Sequence, residues 1–362
     1  MAEKGRILKQ EREEAALISE QVRNILAGGM SRRDFLRLSG LGLAGAAMSS
    51  ALPGILSPGS IATANAAPTN VALGAYTYKL PWDFQDIDGL STLVGQKQGI
   101  VHWFQDWATP THMEFNPSYM DAAVSRGAMP LVTWEPWKLD MGTNQPKYAL
   151  KNIIKGDHDD YVRRWAEAAA AWGKPFLLRF AHEMNSDWTS WSPGVNGNTS
   201  SQFVAAWRRV HGIFRRAGAT NAKWVWSPVA HYEGATPFKR VYPGNAYVDW
   251  VGISGYNWGD TRSWSRWQTF SEIFEKSYRI VGTITKKPII IPEVACAESG
   301  GDKAAWIREA FLEEIPDKFP RIRAVAWFHA NKENDWRVDS SPESLEAYKE
   351  VAASPSYQGT LS

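Results

Sequence analysis

Phe176-Leu177-Leu178-Arg179-Phe180-Ala181-His182-Glu183-Met184-Asn185 is the stretch on which the fold turns. Its opening residues are apolar except for Arg179. The run is too short for a helix and continuous enough for a strand covered on both faces. Polar groups then crowd its end. Pro288-Ile289-Ile290-Ile291-Pro292-Glu293-Val294 has the same plan, an apolar strand closed by a carboxylate.

Outward from these two, further short runs appear at Val71–Tyr76, Ile100–Phe104, Met129–Trp134, Lys223–Trp226, Val248–Ser254 and Ala324–Phe328. Helical patterns lie between them, among them Tyr161–Trp172, Ser201–Ala217 (Asn198 or Thr199 as cap), Phe270–Ile284 and Lys303–Ile315. Eight strand–helix alternations predict a single (β/α)8 barrel, an α/β fold, over residues 67–362. A doubly wound open sheet is the alternative, but no glycine-rich dinucleotide turn follows the first run. No repeat, low-complexity linker or second domain is visible.

In such a barrel the site lies where strands end. His102 and Trp107 follow the second strand, Trp134-Glu135-Pro136-Trp137 the third, and His182, Glu183 and Asn185 the fourth. Tyr256-Asn257-Trp258 follows the sixth, Glu293 ends the seventh, and Trp327 ends the eighth. All 19 tryptophans lie beyond residue 66. Those at strand mouths and in loops (Trp188, Trp191, Trp258, Trp327) are read as sugar contacts, because indole faces stack on pyranose rings. Trp165, Trp172, Trp207 and Trp306 fall on helical faces and are read as core.

Two carboxylates facing one cleft are the minimum needed to break a glycosidic bond. One is neutral and protonates the leaving oxygen; the other is charged and attacks carbon or activates water. Strand parity points Arg179 into the barrel with Glu183, and a buried guanidinium needs an anion, for which Glu293 is the candidate. That pairing makes Glu293 the nucleophile and Glu183 the acid. His182-Glu183 opens like a His-Glu-x-x-His zinc helix, but Ser186 occupies the second ligand position and the segment reads as a strand end. No metal and no cofactor is expected. No Gly-x-Ser-x-Gly elbow is present for a serine nucleophile.

Ser31-Arg32-Arg33-Asp34-Phe35-Leu36-Arg37 is a twin-arginine pattern, followed by a Gly/Ala-rich apolar stretch and Ala64-Asn65-Ala66, a small-x-small cleavage site. Residues 1–66 are therefore expected to be an export signal, with the folded protein extracellular or periplasmic and touching the membrane only in transit. They hold 8 Lys/Arg and 6 Asp/Glu of the chain's 40 and 38, leaving 32 of each in the other 296 residues. The basic balance thus belongs to the signal, and no Lys/Arg stripe suggests nucleic acid. The single cysteine, Cys296, excludes an intramolecular disulfide and reads as buried filler.

Arg179-Phe180-Ala181-His182-Glu183-Met184-Asn185 with Trp188, and Pro292-Glu293 some 110 residues later, resembles glycoside hydrolase family 26. Trp134-Glu135-Pro136, Val251-Gly252-Ile253-Ser254-Gly255-Tyr256 and Gly300-Gly301-Asp302-Lys303-Ala304-Ala305-Trp306 extend the likeness across most of residues 70–350. The resemblance implies a retaining (β/α)8 glycosidase acting on a polysaccharide, with β-1,4-mannan first. Mixed-linkage β-glucan or an exopolysaccharide is the alternative. A barrel that binds polysaccharide without cleaving it is the alternative of another class. The resemblance places Glu183 as acid/base and Glu293 as nucleophile, with His182, Asn185 and Trp188 around the cleavage point. Arg179 and Tyr256 would hold the nucleophile, and Trp258, Trp327, Trp134, Glu135 and His102 complete the substrate-binding set. Two positions depart from the family pattern. Ser186 stands where many members have glycine, and Ser254 where many mannanases have aspartate two places before the tyrosine.

Overall fold

The computed structural model describes residues 70–361; the export signal expected at 1–66 lies outside them. Eight parallel strands close a barrel. They are β1 (Ala72–Tyr76), β2 (Ile100–Asp106), β3 (Met129–Glu135), β4 (Phe176–Phe180), β5 (Ala222–Trp226), β6, β7 (Ile289–Cys296) and β8 (Ile322–Phe328). β6 comes in two pieces, Trp250–Gly252 and Gly255–Asn257. Each strand pairs with the next, and β8 returns to β1 through Ala72↔Ala324 and Tyr76↔Phe328.

A helix follows each strand: α1 (Gln85–Val94), α2 (Pro117–Val124), α3 (Asp159–Trp172), α4 (Ser200–Arg216), α5 (Phe238–Val241), α6 (Phe270–Ile284), α7 (Lys303–Arg308) and α8 (Pro342–Ala353). Their starts are written in the sequence. Thr199 with Gln202, and Thr269 with Glu272, form reciprocal capping boxes on α4 and α6. Asn116, Asp302 and Ser341 cap α2, α7 and α8, with proline in the first turn of α2 and α8.

Two expected elements differ. The helix expected over Lys303–Ile315 holds α-geometry only to Arg308, then widens to a π-helical turn over Glu309–Glu314 before Ile315–Lys318. Pro316 has no N–H for the carbonyl four residues back, and the wider turn accommodates that gap. The sixth strand, expected as Val248–Ser254, breaks at Ile253-Ser254, where Ser254 bridges to Val229 beyond β5.

Side chains inside the barrel change character with height. Ala72, Ile100, Met129, Leu131, Leu177, Val225, Ile290 and Ala324 form a closed apolar plug. One residue pair further along, the inward positions of β2 to β6 become polar: His102, Thr133, Arg179, Ser227 and Ser254. All five are buried. The site rests on this polar belt.

Candidate active site

Arg179 organises the belt. Its Nε donates to Ser227 Oγ at 2.9 Å and its Nη2 to Ser254 Oγ at 2.5 Å. Nη1 donates to Thr133 Oγ1 at 3.2 Å and also to Glu293 Oε1, closing an ion pair. His102 Nε2 bonds Thr133 Oγ1 at 2.7 Å. Tyr256 donates its hydroxyl to the other oxygen of Glu293 at 2.5 Å. Glu293 thus accepts from a cation and a phenol, donors suited to an anionic carboxylate. The same anion, after burial, drives the Tyr256 hydroxyl well above its ordinary pKa, so the phenol keeps its proton.

Both glutamates sit on irregular backbone. In β7 the register to β8 slips between Ile291 and Val294, so three residues oppose two. Ile290 faces the interior; strict alternation would send Pro292 inward and Glu293 out toward the helices. The bulge re-aims Glu293 into the barrel. β4 ends at Phe180, and Ala181 (φ 45°) and Glu183 (φ 53°) are both left-handed. That conformation costs a non-glycine residue on the order of 1 kcal/mol and persists only where the surroundings impose it. Here Ala181 N–H donates to the Trp134 carbonyl at 3.0 Å and Glu183 N–H to the Ser227 carbonyl at 2.7 Å. Strand parity therefore places Arg179 but cannot place Glu183, which reaches the cleft by this turn.

One oxygen each of Glu183 and Glu293 and a ring nitrogen of His182 lie within 4.8 Å of one another. The carboxyls are thus near the ~5 Å separation of retaining glycosidases and well short of the ~6.5–9.5 Å of inverting ones. The trio has metal-ligand spacing. However, Arg179 and Tyr256 occupy both oxygens of Glu293, and Trp188 Nε1 donates to Glu183 Oε2 at 2.8 Å. A guanidinium already seated on the anion opposes a second cation there.

Burial raises the Glu183 pKa from 4.5 to about 7, and the Glu293 charge adds to it, against the pull of Arg179, Trp188 and Ser254. The Glu183 carboxyl therefore keeps its proton to much higher pH than a solvated glutamate. Glu135 goes higher, to about 8, through burial and then the Asp106 charge. Its carboxyl lies 3.9 Å from Nδ1 of His182. Burial, then Arg179 and His102, holds His182 well below its ordinary pKa, so its ring is neutral.

The remaining expected site residues separate into two groups. Trp188, half-buried, stacks on Tyr232 at 5.5 Å, and Trp258, also half-buried, meets Trp336 edge-on at 4.9 Å. Both stay at the mouth. Trp134, Trp191 and Trp327 do not contact sugar, because each is fully buried with its indole N–H spent internally. The acceptors are Tyr161 Oη, the His182 carbonyl and the Trp336 carbonyl. On β3 and β8, inward Thr133, Glu135, Ala326 and Phe328 leave Trp134 and Trp327 facing the helices. His102 lies wholly inside the belt, and Asn185 is spent on both backbone polar groups of Val229. Thr133 was not anticipated, since a threonine within a strand carries no signal of its own.

The family model for glycosyl hydrolase family 26 matches residues 86–341. Endoglucanase H of Acetivibrio thermocellus is 39% identical over 315 residues, 86% of this chain. The chain spans about a third (33%) of that relative's length. A mannan endo-1,4-beta-mannosidase of Bacillus subtilis is 27% identical over 165 residues, 43% of this chain and 39% of the relative. Among solved structures, a family 26 β-mannanase from Bacteroides ovatus superposes with a TM-score of 0.59 at 16% identity, covering 80% of this chain and 90% of that one. At that identity the likeness is one of fold.

Proposed function

The chain belongs to glycosyl hydrolase family 26, a family of O-glycosyl hydrolases, and we propose that it is an exported, retaining endo-β-glycanase whose substrate is a β-glucan. The observation that carries the mechanism is the short separation of Glu183 from a Glu293 already held by Arg179 and Tyr256. Glu293 attacks the anomeric carbon as the bond to the leaving oxygen breaks, and Glu183 gives that oxygen its proton. Esterification removes the Glu293 charge. Glu183, now a carboxylate, takes a proton from water as the water oxygen bonds the same carbon and releases Glu293.

The β-glucan assignment is supported by the likeness to an endoglucanase over most of the chain, whereas the mannosidase match covers less than half. Ser254, in place of the aspartate common in mannanases, supports it from the site. β-1,4-Mannan is the second reading, supported by the Bacillus subtilis mannosidase. The twin-arginine pattern supports export.

Product analysis of the full chain on mixed-linkage glucan, glucomannan, mannan and xylan, beside Glu293→Ala, tests this. Initial release of β-anomers from mixed-linkage glucan, absent in the variant, is the expected outcome. Cleavage of mannan alone moves the substrate and keeps the chemistry. α-Anomers refute retention, and binding without products leaves the non-catalytic barrel.

A further inference from the structure

Five large apolar side chains are well exposed among the described residues: Trp82, Leu93, Leu139, Met141 and Trp264. All but Leu93 stand in loops that follow barrel strands, on the face where Glu183 and Glu293 open. Trp264 differs from the others in being joined to the reacting carboxylate by rings in contact. Tyr256 bonds Glu293, its ring lies 6.2 Å from Trp258, and Trp258 lies 5.3 Å from Trp264. Tyr256 and Trp258 are half-buried, and Trp264 at the end of this ladder is 42% exposed.

The loop that carries Trp264 is held firmly. Asn257 Oδ1 accepts from the N–H of Gly259 at 3.2 Å and of Gln268 at 3.1 Å, closing both ends. Gly259 (φ 56°) passes so close to Ser299 that a Cβ would lie 1.7 Å from its carbonyl oxygen. Trp267 lies on Gly301, where a Cβ would meet the indole at 2.4 Å. Arg262 sits over Trp258 at 5.4 Å and donates to the Glu333 carbonyl at 3.0 Å, anchoring the loop to the one after β8. An aromatic ring presented to solvent on a loop this constrained is preorganised for a ligand.

We infer that Trp264 is a sugar platform on the glycone side of the cleavage point, beyond the sugar attacked by Glu293, stacking on the apolar face of a pyranose in a β-glycan chain. The side follows from the ladder. It rises from Glu293, which bonds the glycone sugar, while Glu183, serving the leaving group, is flanked by Trp188 and Tyr232. The occupant follows from continuity with the cleft. The inference rests on the glycosidase reading of that cleft.

Trp264→Ala and Trp264→Phe in the full chain test it, with kcat and KM measured on mixed-linkage glucan, an oligosaccharide ladder and the shortest aryl glycoside accepted. Trp264→Ala is expected to lower kcat/KM about tenfold on the polymer and long oligosaccharides, through KM, the size of one lost stacking contact. Trp264→Phe recovers most of the loss, and the shortest aryl glycoside is unaffected by either change. An equal loss on the shortest substrate, or none on the polymer, overturns the platform. Failure of the glycosidase reading shows separately, as wild type without turnover on any β-glycan. Affinity electrophoresis in gels containing those glycans then decides: retention that Trp264→Ala weakens supports the platform, and retention that is unchanged or absent overturns it.

Discussion

Replacing Glu183 by glutamine should stabilise the protein, relative to wild type, by an amount that grows as pH rises. Glu183 ionises at about 7 in the folded site against 4.5 in the open chain, because burial and the Glu293 charge disfavour the carboxylate. A raised folded pKa means that stability is fully present below the unfolded value and is lost as pH climbs through the folded one. The difference between about 7 in the fold and 4.5 in the open chain corresponds to about 3 kcal/mol. Glutamine keeps the shape and the acceptor for Trp188 Nε1 but cannot ionise. The difference in unfolding free energy, variant minus wild type, should therefore grow by about 3 kcal/mol between about pH 4 and about pH 8.5. Guanidinium titrations of both proteins at several pH values, with equal m-values, measure it. Glu135 titrates with the same sign in both proteins and cancels. A difference that stays flat with pH would mean that Glu183 ionises in the site as it does in water, and the assignment of a neutral proton donor would fall.

Other expectations follow from the same geometry. Glu183→Ala should lower kcat/KM on poor leaving groups by roughly 10²–10⁴-fold and spare kcat/KM on an activated aryl glycoside, whose departure needs no proton, while kcat on the latter falls because water loses its base; steady-state kinetics on both classes decide it. For wild type, kcat/KM should fall as pH rises through about 7, as the Glu183 proton is lost, and a profile without that limb contradicts the role. Arg179→Met should cost about 3–5 kcal/mol, because it leaves Glu293 buried without its cation, and a loss under 1 kcal/mol in chemical denaturation contradicts the pairing. Gly252→Ala would bring a Cβ to 2.5 Å from Ser227 Oγ; about 1–3 kcal/mol of destabilisation with reduced turnover is expected.

The barrel was legible because its strands are apolar runs between amphipathic stretches, and one helix start because Thr199 is a recognisable cap. Glu183, Glu293 and Arg179 drew notice as ionisable groups in or beside apolar strands, where burial demands partners. Hidden from a linear reading was the backbone that aims them. The left-handed turn at Ala181 and Glu183 leaves no glycine to mark it, and the slipped register around Glu293 is marked only by Pro292, a residue a covered strand tolerates at a bulge. The tryptophans misled for a different reason. A strand end says that a residue is near the mouth, but only parity, counted from Arg179 and carried across each register, says whether it faces the cleft or the helices. Trp134 and Trp327 would have been assigned to the core by that count. Trp264, in a loop with no period to count, would not have been found.

The hydrogen bonds around Arg179 run from His102 on β2 to Glu293 on β7, so one buried side chain depends on six consecutive strands. Such a unit cannot be inherited in halves. A fragment ending after β4 would carry the guanidinium without its serines or its anion, and the complementary fragment would carry the anion without its cation. Any recombination or circular rearrangement that exchanges strands of this barrel with those of a distant relative must preserve the whole belt at once, or separate the charge from the group that neutralises it.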